Sequence, residues 1–161
     1  MTGYVVICYA LTGEHLPALR ERIRLISNGI LRAGLRTYAH IRDEQQWNTG
    51  GSAPRQVLDR VFHEIADAEA VLLDLTGDAG SKRVGLNIEA GYAKALDKTI
   101  FALWRVPERP HMTTDLADFE DSYEHDGEIE EVIYRRFAEW TTQREAHERR
   151  GRAVGSLGGG G

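Results

Sequence analysis

Two short apolar runs constrain the fold of this chain more than any other feature. Residues 4–9 and 70–75 are almost uninterrupted stretches of apolar, largely β-branched or aliphatic side chains. A strand with one face in water alternates apolar and polar residues, whereas a strand covered on both faces is apolar throughout. The two runs therefore predict central strands of a parallel sheet that has helices packed on both of its faces.

The segments around these runs complete an alternation of strands and helices. Further strands are predicted over residues 35–39, residues 99–104 and near residues 118–123. Apolar residues recur at helical spacing over residues 16–34, 54–65, 86–96 and 127–140. This order is typical of an α/β protein with a doubly wound parallel sheet. Because crossovers are right-handed and neighbouring elements pack together, we expect a flavodoxin-like sheet of about five strands in the order 2-1-3-4-5.

The composition favours one small domain in a reducing compartment. A chain of 161 residues suits a single core, and its one cysteine, Cys8, cannot form an intramolecular disulfide. Cys8 lies within an apolar run, so we interpret it as a small buried side chain rather than a nucleophile. Residues 1–141 are predicted to form the domain, and residues 142–161, charged and then glycine-rich, to form a disordered tail.

Charge and hydropathy exclude two classes of partner. The net charge of −5 at pH 7 argues against a broad face for binding a nucleic-acid polymer. No run approaches the roughly 18 apolar residues of a membrane span, and we recognise no targeting segment. The histidines form no set with metal-ligand spacing, so we expect no metal and no cofactor. The predicted location is cytoplasmic.

The predicted topology gathers several polar residues at one edge of the sheet. Open α/β sheets bind ligands at the carboxyl ends of the strands where the strand order reverses, here between the first and third strands. The loop after the first strand carries Tyr9, Thr12 and Gly13, and the third strand ends in Asp74. The next loop leads into the helix that contains Glu89. We therefore expect these segments to converge on one crevice.

Glu89 and Asp74 are the carboxylates predicted at this crevice. If the helix begins near residues 85–87, Glu89 lies in its first turn, where the helix dipole keeps a carboxylate ionised at neutral pH. Such a carboxylate can act as a nucleophile, and glycoside chemistry commonly pairs it with a second acid. Asp74 is the natural second acid. The residues alone leave two alternatives open, in which Glu89 is a surface residue favoured by the dipole and Asp74 caps a turn.

Other candidates in the polar loops also have two interpretations. Trp47 is either a lid over a ligand or a plug in the core. Lys82 and Arg83 are either phosphate ligands or a solvated pair, and Ser81 beside them could also favour phosphate. The Thr12-Gly13 pair lacks a full glycine fingerprint for phosphate binding.

Two stretches of the sequence carry a family resemblance. Residues 68–77 (AEAVLLDLTG) and residues 85–100 (GLNIEAGYAKALDKTI) resemble the signature of the nucleoside 2-deoxyribosyltransferase-like superfamily. That superfamily includes deoxyribosyltransferases and deoxynucleoside 5′-monophosphate N-glycosidases. The resemblance implies an enzyme that cleaves or transfers the N-glycosidic bond of a nucleoside or nucleoside 5′-monophosphate, with Glu89 as the nucleophile.

The resemblance also implies roles for other residues. Asp74 would orient the sugar or help to protonate the base, and Tyr9 would contact the nucleophile or the sugar. The predicted substrate-binding residues are Thr12, Gly13, Trp47, Ser81, Arg83, Gly85 and Asn87. The implied partners are a small-molecule nucleoside or nucleotide and a second copy of the chain, because the superfamily usually forms dimers or larger assemblies.

Two other functions compete with this interpretation. The Asp-Leu-Thr-Gly segment and the later Glu-x-Gly-Tyr-Ala also resemble TIR-like domains, which would make the chain an NAD-cleaving enzyme or a non-catalytic nucleotide sensor. A receiver-type signalling domain shares the predicted fold but needs an acidic pair after the first strand to hold a metal. Tyr9 and Ala10 occupy that place, which argues against a receiver.

Overall fold

A single parallel sheet organises the chain. A computed structural model describes residues 3–77, 84–110 and 112–156. The five strands are β1 (Tyr4–Tyr9), β2 (Arg36–Tyr38), β3 (Ala70–Asp74), β4 (Thr99–Arg105) and β5 (Phe119–Tyr123). All neighbouring pairs are parallel, and the order β2-β1-β3-β4-β5 confirms the predicted flavodoxin-like topology.

Helices connect these strands. They are α1 (Leu16–Arg32), α2 (His40–Asp43), α3 (Pro54–Asp67), α4 (Val84–Ala95) and α5 (Ile129–Ser156). Proline lies in the first turn of α1 and of α3, where the missing amide costs no helical hydrogen bond. After α1, Gly34 adopts a φ of +87°, and the amide of Leu35 donates to the carbonyl of Ile30. This glycine turn ends α1 and directs the chain into β2.

The alternation of side chains along each strand divides the core into two layers. Val5 and Ile7 of β1 pack with α1 and α5, whereas Val6 and Cys8 pack with α3 and α4. Both sets of side chains are at most 2% exposed. The strands are therefore apolar throughout because each face is covered by helices, as the apolar runs predict.

The end of the last helix differs from the prediction. The helix was predicted to end at residue 140 and to be followed by disorder from residue 142. In the structure α5 continues to Ser156. Residues 141–150 are rich in Glu, Gln and Arg, which favour helices, and Glu145 pairs with Arg149 one turn later. Arg144 also stacks on Trp140, with 4.6 Å from its guanidinium carbon to the ring centroid, and pairs with Glu69. Charge in this segment therefore supports a helix rather than a disordered tail.

Two further details lie outside the predicted pattern. The four-residue helix α2 occupies part of a region predicted to be a loop, and it is too short to show an apolar period. Among the described residues, no helix combines the length and the apolar character needed to cross a bilayer.

Candidate active site

A cavity of about 370 Å³ opens at the carboxyl end of β1, on the face of the sheet that α3 and α4 cover. Its walls come from the end of β1, the segment that follows β2, the first half of α3 and the first turns of α4. The polar residues that line it are Tyr9, Thr12, Tyr38, His40, Gln45, Thr49, Ser52 and Glu89, and Cys8 also contributes. Its apolar wall includes Val57, Leu58, Val61 and Leu86. The cavity lies at the switch point at which α/β sheets bind ligands.

Glu89 places a carboxylate in this cavity. Because α4 begins at Val84, Gly85, Leu86 and Glu89 face the cavity along one side of the helix. The Oε2 atom of Glu89 is buried and has no hydrogen-bond partner among the described residues. A buried carboxylate oxygen without a donor is costly, so its presence marks a group reserved for something other than stability.

The electrostatics of Glu89 correct one prediction. An α4 that begins at Val84 puts Glu89 in the second turn, beyond the free amides that would hold it ionised. Burial instead raises its pKa from the ordinary value of 4.5 to about 7, and a hydrogen bond from the Cys8 thiol partly offsets this effect. Glu89 therefore exchanges its proton near neutral pH rather than staying ionised, which suits acid–base or nucleophilic chemistry.

Cys8 lies beneath Glu89 on the same face of the sheet. The side chain is 2% exposed, and burial, then the nearby Glu89 carboxylate, raises the pKa of its thiol. A thiol with a raised pKa stays protonated and is a poor nucleophile. It acts as a weak donor to Glu89, in agreement with the interpretation of Cys8 as a buried side chain.

His40 supplies a second unpartnered polar atom at the cavity. It lies at the start of α2, directly after β2, and is 7% exposed. Its Nδ1 is 3.0 Å from the Tyr38 hydroxyl, whereas its Nε2 is buried and has no partner in the described part of the chain. Burial lowers the pKa of His40, so the ring is neutral at neutral pH. The cavity thus presents one imidazole nitrogen and one carboxylate oxygen that nothing in the described residues satisfies.

Tyr9 lines the cavity and holds α2 in place. Its hydroxyl oxygen accepts a 2.7 Å hydrogen bond from the amide of Ile41, so it supports the segment that carries His40. Burial raises its pKa, and the hydroxyl keeps its proton. The remaining O–H can donate to a ligand or to Glu89.

The structure does not bring Asp74 together with Glu89. Asp74 follows Ala70 and Leu72 on the alternate positions of β3 that face α1, so it lies on the other face of the sheet from α4. Its Oδ2 accepts a 3.0 Å hydrogen bond from Arg22 Nε, and its Oδ1 accepts one of 3.1 Å from the amide of Thr76. At 1% exposure it is a satisfied buried carboxylate outside the cavity lining, which agrees with the turn-cap alternative.

The other predicted residues separate into three groups. Thr12 and Gly85 line the cavity, whereas Gly13, Trp47 and Asn87 do not. Trp47 packs against the α1/α5 core with Arg20 5.4 Å from its ring centroid, as a plug would, and Asn87 accepts a 2.7 Å hydrogen bond from Thr113. Ser81 and Arg83, together with Lys82, lie outside the described residues.

Neither His40 nor Tyr38 is among the site residues predicted from the sequence. The histidines were considered only as metal ligands, and no helix or strand was predicted between residues 39 and 54. The available signal was positional, because His40 follows the end of a strand that neighbours β1 and so falls at the same edge as Tyr9. The switch-point argument that selects Tyr9 and Asp74 applies equally to the end of β2.

Comparisons with known proteins bear on the fold. No protein-family model matches the chain, and no curated protein matches it in sequence. Solved structures do match. The CMP N-glycosidase of Clostridium botulinum superposes with a TM-score of 0.56 at 16% identity, covering 80% of this chain and 94% of the glycosidase.

Two more solved structures show how far this likeness extends. The 2-deoxyribosyltransferase of Bacillus psychrosaccharolyticus has a TM-score of 0.60 at 13% identity and covers 83% of this chain and 95% of the transferase. The flavodiiron core of Synechocystis has a TM-score of 0.55 at 13% identity, over 89% of this chain and 37% of that protein. At such identities the likeness concerns the fold alone, a flavodoxin-like α/β fold that this chain shares with an N-glycosidase, a deoxyribosyltransferase and a flavodiiron protein.

Proposed function

We propose that the chain cleaves or transfers the N-glycosidic bond of a nucleoside or nucleoside 5′-monophosphate, with Glu89 as the nucleophile. The observation that carries the proposal is the Oε2 atom of Glu89, which is buried in the cavity with no partner among the described residues. The fold shared with an N-glycosidase and a deoxyribosyltransferase supports the same class of reaction. The residue-level resemblance of residues 85–100 supports the choice of Glu89.

In the first step the ionised Glu89 attacks the anomeric carbon. A bond forms between that carbon and a carboxylate oxygen while the carbon–nitrogen bond breaks, and its electron pair leaves with the base, which takes a proton from solvent. Water then attacks the same carbon, loses a proton and releases Glu89, which completes hydrolysis. A second base attacking in place of water completes transfer.

The environment of Glu89 suits both halves of this cycle. Val57, Val61 and Leu86 give the cavity an apolar wall. Because an apolar wall lowers the local dielectric constant, it strengthens the attraction between the carboxylate and a cationic sugar carbon in the transition state. A pKa of about 7 means that both the ionised and the protonated forms of Glu89 are present at neutral pH. The Tyr9 hydroxyl accepts from Ile41 and donates to no acceptor among the described residues, so its O–H can orient the carboxylate or the sugar.

The 5′ group, the assembly and the location remain predictions. Ser81 and Arg83 are proposed to favour a 5′-phosphate, by their place before Glu89 in the sequence. A homodimer is proposed from the family resemblance, and light scattering coupled to gel filtration measures it. A cytoplasmic location is proposed from the sequence and is tested by fractionation of cells that express the chain.

A nucleotide-binding sensor, or an NAD-cleaving domain of TIR-like type, is the second candidate. The observation that favours a sensor is that Asp74, the expected second acid, is engaged by Arg22 and lies outside the cavity lining. A sensor needs the cavity but not a pair of acids. A sensor therefore differs from the proposed enzyme in turnover, whereas an NAD-cleaving domain differs from it in substrate.

The test measures free base by chromatography after incubation with ribonucleosides, deoxyribonucleosides, their 5′-monophosphates and NAD. We expect wild type to release base from a nucleoside or a monophosphate and Glu89→Gln to release none. Glu145→Gln, on the exposed part of α5, is the matched control and should keep full activity. Release of nicotinamide from NAD alone would favour the TIR-like candidate. Retained ligand with no release from any substrate would overturn the enzyme in favour of the sensor.

A covalent intermediate gives an independent check on the role of Glu89. Rapid acid quenching followed by intact-protein mass spectrometry should show an added sugar on wild type during turnover. The Glu89→Gln variant should show no adduct, since an amide oxygen is a poor nucleophile. Base release without any adduct at short times would mean that Glu89 acts as a general base on water instead.

A further inference from the structure

A line of polar side chains leads from the cavity to the protein surface through His40. The Nδ1 atom of His40 is 3.0 Å from the hydroxyl of Tyr38, which also lines the cavity. The Arg60 guanidinium on α3 interacts with the same hydroxyl, and this interaction raises the pKa of Arg60. Arg60 on α3, Tyr38 at the end of β2 and His40 after that strand thus form a line. It ends at Nε2 of His40, which has no partner among the described residues.

Arg60 is fixed in place by acids on two different elements. Its Nη2 is 3.1 Å from Oε1 of Glu44 and 2.7 Å from Oε1 of Glu64. Glu64 in turn accepts a 3.0 Å hydrogen bond from the Tyr4 hydroxyl. Two carboxylates on one guanidinium restrict its orientation and keep the charge of Arg60 near Tyr38.

The order of donors along this line determines the tautomer of His40. An arginine carries a positive charge and only donates, so Tyr38 presents its oxygen and not its proton towards Arg60. The Tyr38 proton is then directed to the other neighbour, the Nδ1 of His40, and this nitrogen must be the acceptor. In a neutral imidazole the proton consequently lies on Nε2, which is the atom left without a partner at the cavity.

We propose that His40 presents its Nε2–H to an acceptor atom of the departing base, a carbonyl oxygen or an unprotonated ring nitrogen, and that Tyr38 and Arg60 are positioning residues that fix this tautomer. The identity of the ligand rests on the proposed function, whereas the tautomer does not. Rupture of the glycosidic bond leaves its electron pair on the base, so each acceptor of the base becomes more negative. A donor held at that site binds the transition state more tightly than the ground state, which accelerates the reaction.

The first test reads the tautomer directly and needs no substrate. Long-range ¹⁵N–¹H correlation spectra of the ligand-free protein distinguish Nε2–H from Nδ1–H, and the exposed His63 serves as an internal reference. We expect the Nε2–H form for His40 in wild type. Tyr38→Phe, which keeps the ring and removes the hydroxyl, should yield a mixture of tautomers, and Arg60→Gln should move the spectrum in the same direction. An Nδ1–H form in wild type, or a spectrum unchanged in both variants, would overturn the proposal that Tyr38 and Arg60 fix the tautomer of His40.

The second test reads the function of the donor. With the best substrate, His40→Phe should lower kcat by about 100-fold, as loss of one preorganised donor does elsewhere, and Tyr38→Phe should lower kcat with little change in KM. His63→Asn, on the outer side of α3, is the control that keeps wild-type kinetics. If kcat is unchanged in His40→Phe while Glu89→Gln is inactive, the donor role fails and the proposed function stands.

A third measurement covers the case in which no substrate turns over. Titration of cytosine and adenine, free bases rich in acceptors, should shift the Nε2–H proton resonance of His40 downfield in wild type. The Tyr38→Phe variant should bind them several-fold more weakly. Absence of any shift at His40, in a protein that binds these bases elsewhere, would overturn the donor role independently of catalysis.

Discussion

At the carboxyl edge of the sheet, the buried polar groups on the two faces differ in whether they have hydrogen-bond partners. On the face covered by α1 and α5, the Asp74 carboxylate accepts hydrogen bonds from Arg22 and from the amide of Thr76. On the face covered by α3 and α4, one oxygen of Glu89 and one nitrogen of His40 are buried without partners among the described residues. Burial of a polar group therefore does not by itself mark a site, and the state of its partners separates a structural network from a group held for a ligand.

We expect the largest effect from a substitution on the face covered by α3 and α4, and we expect that effect on activity. Glu89→Gln keeps the volume of the side chain and removes the nucleophile, so we expect turnover of the best substrate to fall at least roughly 1,000-fold. Single-turnover measurements with excess enzyme check this. Residual activity within about tenfold of wild type would mean that Glu89 is not the nucleophile. The unpartnered groups on this face would then not mark an active site.

A substitution on the face covered by α1 and α5 should instead lower the free energy of unfolding. Asp74→Asn leaves the buried Arg22 guanidinium with only Glu14 as its acidic partner among the described residues, so we expect a loss of about 3 kcal/mol in the free energy of unfolding. Urea unfolding measures this, with Asp59→Asn on the exposed side of α3 as the matched control. Turnover per folded molecule should change much less than in Glu89→Gln. Loss of turnover at unchanged stability would instead make Asp74 the second acid.

A pH titration sharpens the comparison at Glu89. In the unfolded chain this carboxyl ionises near 4.5 and in the folded chain near 7, so the unfolded state releases its proton first as the pH rises. The contribution of Glu89 to stability is thus complete below pH 4.5 and is lost as the pH rises through 7. Relative to Glu89→Gln, wild type should lose about 3 kcal/mol between pH 4 and pH 8, close to the limit set by the shift.

The same titration predicts the rate profile. Only the ionised form attacks, so kcat/KM should rise with pH and level off above about 7. Urea unfolding of both proteins at several pH values and initial rates over the same range provide the two data sets. A wild-type curve parallel to that of the variant, or a rate that levels off near pH 4.5, would mean that Glu89 is solvated and ordinary.

Much of the fold could be predicted because a strand covered on both faces leaves an uninterrupted apolar run. The same uninterrupted apolar run made it impossible to predict on which face of the sheet Asp74 lies. Since both faces of β3 are apolar, the sequence does not show which face Asp74 shares with which helix, and convergence at one edge was mistaken for convergence in one crevice. The turn in which Glu89 lies depends on a helix start that sequence fixes only to within a few residues. The four-residue α2 gives no period at all, so His40 was found only through its buried, unpartnered nitrogen.

The smallest expected effect tests how far the satisfied network extends. The hydroxyls of Tyr123 and Thr76 are 2.7 Å apart and buried, which links the turn after Asp74 to the end of β5. Tyr123→Phe leaves the Thr76 hydroxyl unpaired, and we expect a loss of about 1 kcal/mol in the free energy of unfolding with unchanged turnover. Tyr134→Phe, whose ring faces Arg32 on the surface of α5, is the control and should change neither quantity. A fall in turnover for Tyr123→Phe at constant stability would show that the network on this face reaches the reaction, because a purely structural hydrogen bond acts only on folding.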